Sequence, residues 1–169
     1  TSMKDYAEFY ERLTAPLRRH PWSIQLLKVT NGFLTKIMAV LYPMLLLYLL
    51  WQKRFTDLGL TIFITACAFL ALSAFRRRLD YLRPYESWSI APLIHKTAKG
   101  TSFPSRHVFS ASMISLSLWQ VSPVLAVFCL VLSVLLGFCR ILGGMHYPKD
   151  VIVGYLLGLL ASSFLLILL

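Results

Sequence analysis

Cys139-Arg140-Ile141-Leu142-Gly143-Gly144-Met145-His146-Tyr147-Pro148-Lys149-Asp150 separates two of the most apolar runs of the chain, residues 124–139 and 150–169. An arginine, a histidine and an aspartate therefore lie beside segments fit for lipid. A Lys, Arg or Asp at the centre of a membrane helix costs roughly 2.5–3.5 kcal/mol, so ionisable groups in such a place are functional candidates by default. The glycine pair and Tyr147-Pro148 break the helix and put these side chains at a membrane surface. Arg140 can grip an anion, His146 can attack or shuttle a proton, and Asp150 can hold one ring nitrogen while exposing the other. The plainer alternative is a basic interfacial loop with a snorkelling arginine.

Working outward, composition agrees with a membrane setting. The chain has 169 residues, 57% of them hydrophobic, and a mean hydropathy of +0.67, too apolar for a soluble domain of this length. The expected class is all-α, an integral membrane bundle of about five spanning helices with an N-terminal amphipathic interfacial helix. No short apolar leader is visible in the first thirty residues, and Thr1-Ser2 before Met3 reads as a cloning remnant. The net charge of +10, from 17 Lys+Arg against 7 Asp+Glu, suits anionic headgroups or a phosphate substrate. No basic–aromatic interleaving points to nucleic acid. Cys67, Cys129 and Cys139 fall in or beside apolar runs and read as packing residues.

In residues 3–31, Tyr6, Phe9, Tyr10, Leu13 and Leu17 recur at helical spacing among charged residues, before Pro21. Residues 1–31 are expected to form the interfacial segment, with a lid over the site or a plain surface helix as alternatives, and residues 32–169 the membrane domain. Apolar runs follow at 32–51, 58–75, 105–119, 124–139 and 150–169. Ser105 is placed to cap the third. Ser110, Ser112, Ser115 and Ser117 suit a helix packed inside the bundle, and Gly154 and Gly158 mark a close-packing face.

Parity places three polar clusters on one membrane face: the 76–104 loop, the Pro104–His107 turn and the 140–150 hinge. Arg76, Arg83, Ser105, Arg106, His107, Arg140, His146 and Asp150 meet there. Arginine forks and a helix N-terminus suit phosphate oxygens. Two histidines and an aspartate provide a nucleophile, an acid and an orienting group.

In these motifs the chain resembles the type-2 phosphatidic acid phosphatase superfamily of membrane lipid phosphatases. That family carries Lys-x6-Arg-Pro, Pro-Ser-Gly-His and Ser-Arg-x5-His-x3-Asp. Here they read Arg76-x6-Arg83-Pro84, Pro104-Ser105-Arg106-His107 and Cys139-Arg140-x5-His146-x3-Asp150. Arg76 for lysine, Arg106 for glycine and Cys139 for serine are the departures, and Arg106 adds bulk and charge beside the phosphate site.

The resemblance implies that His146 attacks phosphorus and becomes phosphohistidine, that Asp150 fixes its tautomer, and that His107 protonates the leaving oxygen and then activates water. It implies that Arg76, Arg83, Arg140, Ser105 and Arg106 hold the phosphate, with no metal or other cofactor. The implied partners are the bilayer and a lipid phosphate or diphosphate, undecaprenyl diphosphate first. Phosphatidylglycerophosphate or phosphatidate hydrolysis, phosphate transfer between lipids, and a non-catalytic lipid-binding role are the alternatives. The location is a multi-pass cell membrane protein. The positive-inside rule assigns the basic site face to the cytoplasm. Bacterial members that recycle lipid carriers work on the outer face, and the outer face is the orientation adopted.

Overall fold

The computed structural model describes residues 3–97 and 99–169; Thr1 and Ser2, read above as a remnant, lie outside the described residues. The described elements are helical: α1 Met3–Arg18, α2 Pro21–Trp51, α3 Phe55–Leu79, the short α4 Pro84–Ser87, α5 Arg106–Ser117 with a 3-10 turn Leu118–Gln120, α6 Pro123–Leu142 and α7 Pro148–Leu168. The helices α2, α6, α7 and the segment holding α3 are long and apolar enough to cross a membrane. Leu47, Phe63, Leu70, Val131 and Leu160 project outward from them, an apolar belt too broad for a water-facing surface. The chain is a multi-pass membrane protein.

Helix starts follow proline chemistry. Pro21, Pro123 and Pro148 each occupy a first helical turn, where the missing N–H has no partner to lose and φ is already helical. For this reason α2 begins at Pro21 and not near residue 32, and the division expected at residue 31 falls inside a continuous helix. Ser122 caps α6 by accepting the Leu125 N–H at 3.3 Å.

The helix of the third apolar run, α5, is shorter than the four named above. With its 3-10 turn, α5 spans about 24 Å against a hydrocarbon thickness of about 30 Å. It tolerates this because α2, α3, α6 and α7 surround it. Lipid gives little hydrophobic drive between helices, so close packing and polar contacts must hold them. The serines supply the contacts: Ser112 donates to the Tyr155 carbonyl at 3.0 Å, and Ser117 and Ser162 pair at 3.2 Å. The glycines supply the closeness. A Cβ on Gly154 would lie 2.7 Å from the Ser105 carbonyl oxygen, and one on Gly158 would lie 2.4 Å from that of Phe109. The small-residue stripe thus packs α7 on α5, as its spacing suggests. Leu34, Met38, Leu45 and Leu49 of α2 close the other side of α5 against Ala126, Cys129 and Leu136 of α6.

At the hinge end, α1 is tied down. Tyr10 donates to the Leu142 carbonyl at 2.9 Å and accepts the Leu93 N–H at 3.2 Å. The Tyr6 ring meets Tyr147 edge-on at 4.8 Å and Trp88 at 5.7 Å. An amphipathic helix was expected here; the structure seats it against the hinge and the long loop. Gly144 takes a left-handed φ of 74°, and a Cβ there would lie 2.8 Å from Tyr10 Oη, so glycine permits both the turn and the docking.

Candidate active site

The three polar clusters converge. The Ser105 N–H donates to the Asp150 carbonyl at 2.9 Å, joining the start of α5 to the start of α7, and the Ile94 N–H donates to the Gly143 carbonyl at 3.2 Å, joining the long loop to the hinge. His146, Arg140, Asp150 and Ser105 are all buried.

His146 leaves the hinge just ahead of α7, whose first turn carries Asp150. The His146 Nδ1 to Asp150 Oδ2 distance is 3.6 Å, longer than a hydrogen bond. Ser102 fills the gap: its hydroxyl lies 2.5 Å from Asp150 Oδ2 and 3.4 Å from His146 Nδ1. Since the hydroxyl proton goes to the carboxylate, the oxygen is left to accept from Nδ1–H. Asp150 Oδ2 also accepts the Tyr147 N–H at 3.1 Å. The ring is thereby fixed by one nitrogen and Nε2 is left as the free base. Burial pushes the His146 pKa down from 6.5 to about 4, against the opposing pull of Asp150. The imidazole is therefore uncharged at neutral pH, the form a nucleophile needs.

The cations divide by task. Arg140, near the end of α6, donates to Thr35 Oγ1 at 2.9 Å and to Met145 Sδ at 3.5 Å, while its Nε is buried without a partner. Arg76 is buried and donates to the carbonyls of Thr101, Ser102 (3.4 Å) and Pro104, so it braces the loop that carries Ser102. Arg83 Nε donates to the Gly100 carbonyl at 3.2 Å. Glu86 and Asp80 turn to backbone N–H groups of the same loop, Glu86 to Gly100 at 2.9 Å and Asp80 to Thr101 at 3.1 Å. Ser105 occupies the cap position of α5, but its hydroxyl makes no cap bond and is buried without a partner. Its expected position is right; its side chain is not spent on the helix.

His107 lies in the first turn of α5, within electrostatic reach of Arg140, Lys96, His146 and Arg106. It lines a cavity of about 340 Å³ with Arg106, Thr35, Phe69, Ala111 and Leu136. That cavity is basic at the Arg106–His107 end and largely apolar beyond it. The Arg106 guanidinium lies 5.6 Å over the Phe69 ring and is exposed, so its bulk does not fill the His146 pocket. Cys139, the third departure, packs with Leu27 and Leu93, a place where a thiol serves as a small apolar group.

Sequence reasoning missed two participants. Ser102 had no spacing signal tying it to a residue 48 positions away. Thr35 sits in an apolar run, and nothing there marks it as the partner of Arg140. Lys96 is an exposed loop lysine; partial desolvation first, then the charges of Arg140 and Arg83, hold its pKa below the usual lysine value.

Comparison with known proteins gives the family and the fold. The sequence pattern of the PAP2 superfamily matches residues 74–169. The bacitracin transport permease protein BcrC of Bacillus licheniformis is 29% identical over 118 residues, 68% of this chain and 58% of that protein. An undecaprenyl-diphosphatase of Sulfolobus acidocaldarius is 30% identical over 112 residues, 65% and 54% respectively. The alignments thus span little more than half the length of these curated relatives. Two crystal structures share the fold. Aquifex aeolicus LpxE has a TM-score of 0.72 at 23% identity, covering 94% of this chain and 93% of that one. A PAP2-type phosphatidylglycerolphosphate phosphatase from Bacillus subtilis has a TM-score of 0.70 at 22% identity, covering 98% and 85%. With its three motifs gathered at one end of a helical membrane bundle, and with the family pattern running from the end of α3 to the C-terminal residue, this chain belongs to the PAP2 superfamily.

Proposed function

We propose that this protein hydrolyses a lipid phosphate or diphosphate through a phosphohistidine on His146. The observation that carries the reading is a pair of buried, unpartnered groups, Arg140 Nε and Ser105 Oγ, on the two segments that the Ser105 N–H to Asp150 carbonyl bond and the hinge tie to His146. Buried polar atoms are rarely left unsatisfied, and an anion's oxygens would satisfy both.

In the first step His146 Nε2 bonds to phosphorus as the phosphorus–oxygen bond to the leaving group breaks, and His107 gives its proton to that oxygen. In the second, His107 takes a proton from water, whose oxygen bonds to phosphorus as the phosphorus–nitrogen bond breaks. Inorganic phosphate leaves and His146 is restored. Arg140, Arg83, Ser105 and the Arg106 backbone amide hold the phosphate oxygens, where fixed donors are most effective on developing charge. Arg76 holds the loop in place. The apolar reach of the cavity behind His107 suits the lipid chain of the leaving group.

Undecaprenyl diphosphate is the favoured substrate, supported by the named activity of the Sulfolobus relative. The test is phosphate release by purified protein in detergent from prenyl and glycerolipid phosphates, against His146→Ala. Release that depends on His146 supports the reading; equal release by both proteins refutes it. We also propose that the site faces outward. Arg76, Arg83, Arg106 and Arg140 are site residues, which removes them from the charge count that argues for the cytoplasm. Protection of a Lys99→Cys variant from an impermeant thiol reagent in intact cells would reverse that assignment.

A further inference from the structure

A second cavity, of about 260 Å³, opens beside the first at the end of α3. Ser73, Arg76, Arg77, Arg83, Thr101 and Arg106 line it. Four arginines border this one space; their like charges repel, and an anion among them would relieve the repulsion. Among the described residues, no ion pair joins any of the four to a carboxylate. The nearby acids are otherwise engaged: Asp80 holds the Thr101 N–H, and Glu86 holds the Gly100 and Arg83 N–H groups. Ser73 Oγ is buried without a partner. Arg106 lines this cavity and also the apolar one that His107 borders, so the two spaces share a wall.

We propose that this arginine cavity is a second phosphate site, in which Arg77, Arg106 and Ser73 hold the lipid-proximal phosphate of a lipid diphosphate while His146 attacks the distal one. The inference rests on the function proposed above and narrows its substrate class to diphosphates. The bond broken is the one between distal phosphorus and the bridging oxygen. That oxygen leaves as part of a lipid monophosphate, whose added charge the cavity holds, and the phosphohistidine is then hydrolysed to inorganic phosphate. A monophosphate substrate would leave the cavity unused. Arg77 belongs to none of the three motifs and, at the end of a spanning helix, would otherwise read as a stop-transfer charge.

Arg77 is exposed, so Arg77→Gln should fold. Initial rates are measured with farnesyl diphosphate and farnesyl phosphate on the full chain and on the Arg77→Gln and Ser73→Ala variants. Loss of a charge-assisted contact lowers kcat/KM for the diphosphate about tenfold, with the rate on the monophosphate nearly unchanged. Equal losses on both substrates, or none on either, overturn the proposal. Calorimetry on His146→Ala, which has no nucleophile, separates this site from the function reading. Inorganic diphosphate should bind more tightly than inorganic phosphate, and Arg77→Gln on that background should abolish the difference. Equal binding of the two anions before the change overturns the second site whatever the catalytic result.

Discussion

Replacing Ser102 by alanine removes one hydroxyl from a buried chain of three groups. Its 2.5 Å bond to Asp150 Oδ2 is charge-assisted, and it is the nearer of the two oxygens to His146 Nδ1, at 3.4 Å against 3.6 Å for the carboxylate. Without it, Asp150 Oδ2 keeps only the Tyr147 N–H as a hydrogen-bond donor, and Asp150 Oδ1 already has none. A hydrogen bond to a charged group contributes about 1.5–3 kcal/mol, which corresponds to roughly ten- to a hundredfold in rate. Ser102 touches the orienting carboxylate and not the lipid, so the loss should fall on kcat and leave KM nearly unchanged. Ser102→Thr, which keeps the hydroxyl, should recover most of the rate. The assay is steady-state phosphate release, with thermal unfolding in detergent to confirm that the variant is folded at the assay temperature. A Ser102→Ala kcat within about twofold of the parent, or a loss confined to KM, would refute the bridging role.

Two further outcomes follow from the same geometry. Because burial holds the His146 pKa near 4, the nucleophile stays unprotonated as pH falls through 6.5. The acid limb of kcat/KM, which reports the free enzyme, should therefore lie well below pH 6; a limb centred near 6.5 would show an exposed, ordinary imidazole. Gly158→Ala would set a methyl 2.1 Å from Ser112 Oγ and 2.4 Å from the Phe109 carbonyl oxygen. Thermal unfolding should show a loss of about 1–3 kcal/mol, whereas Gly59→Ala, with nothing within 4 Å, should be neutral or mildly stabilising.

The spacing of the motifs made much of the site legible. Parity alone brought Arg83, His107, Arg140 and His146 to one membrane face, because helices that cross lipid must alternate sides. The serines of α5 and the glycines of α7 were readable for a similar reason, since only small residues allow two backbones so close. Other features depended on contacts that spacing does not encode. Pro21 was read as a break in the helical pattern inside the interfacial segment, yet proline at a first helical turn starts a helix. Arg76 was expected to hold phosphate; that its guanidinium also meets the carbonyls of the long loop is a contact no spacing encodes. Ser102 looked like loop punctuation, and only the folded loop sets its hydroxyl between a histidine and an aspartate. The docking of α1 through Tyr10 onto the Leu142 carbonyl is equally non-local.

The most direct measurement is the capture of the covalent intermediate. Protein mixed with a lipid diphosphate labelled at its distal phosphorus, and quenched in alkali, should carry label on His146 in an acid-labile, alkali-stable linkage, absent from His146→Ala and longer-lived in His107→Ala. Turnover of the labelled substrate with no label on the protein, or label retained by His146→Ala, would contradict the account.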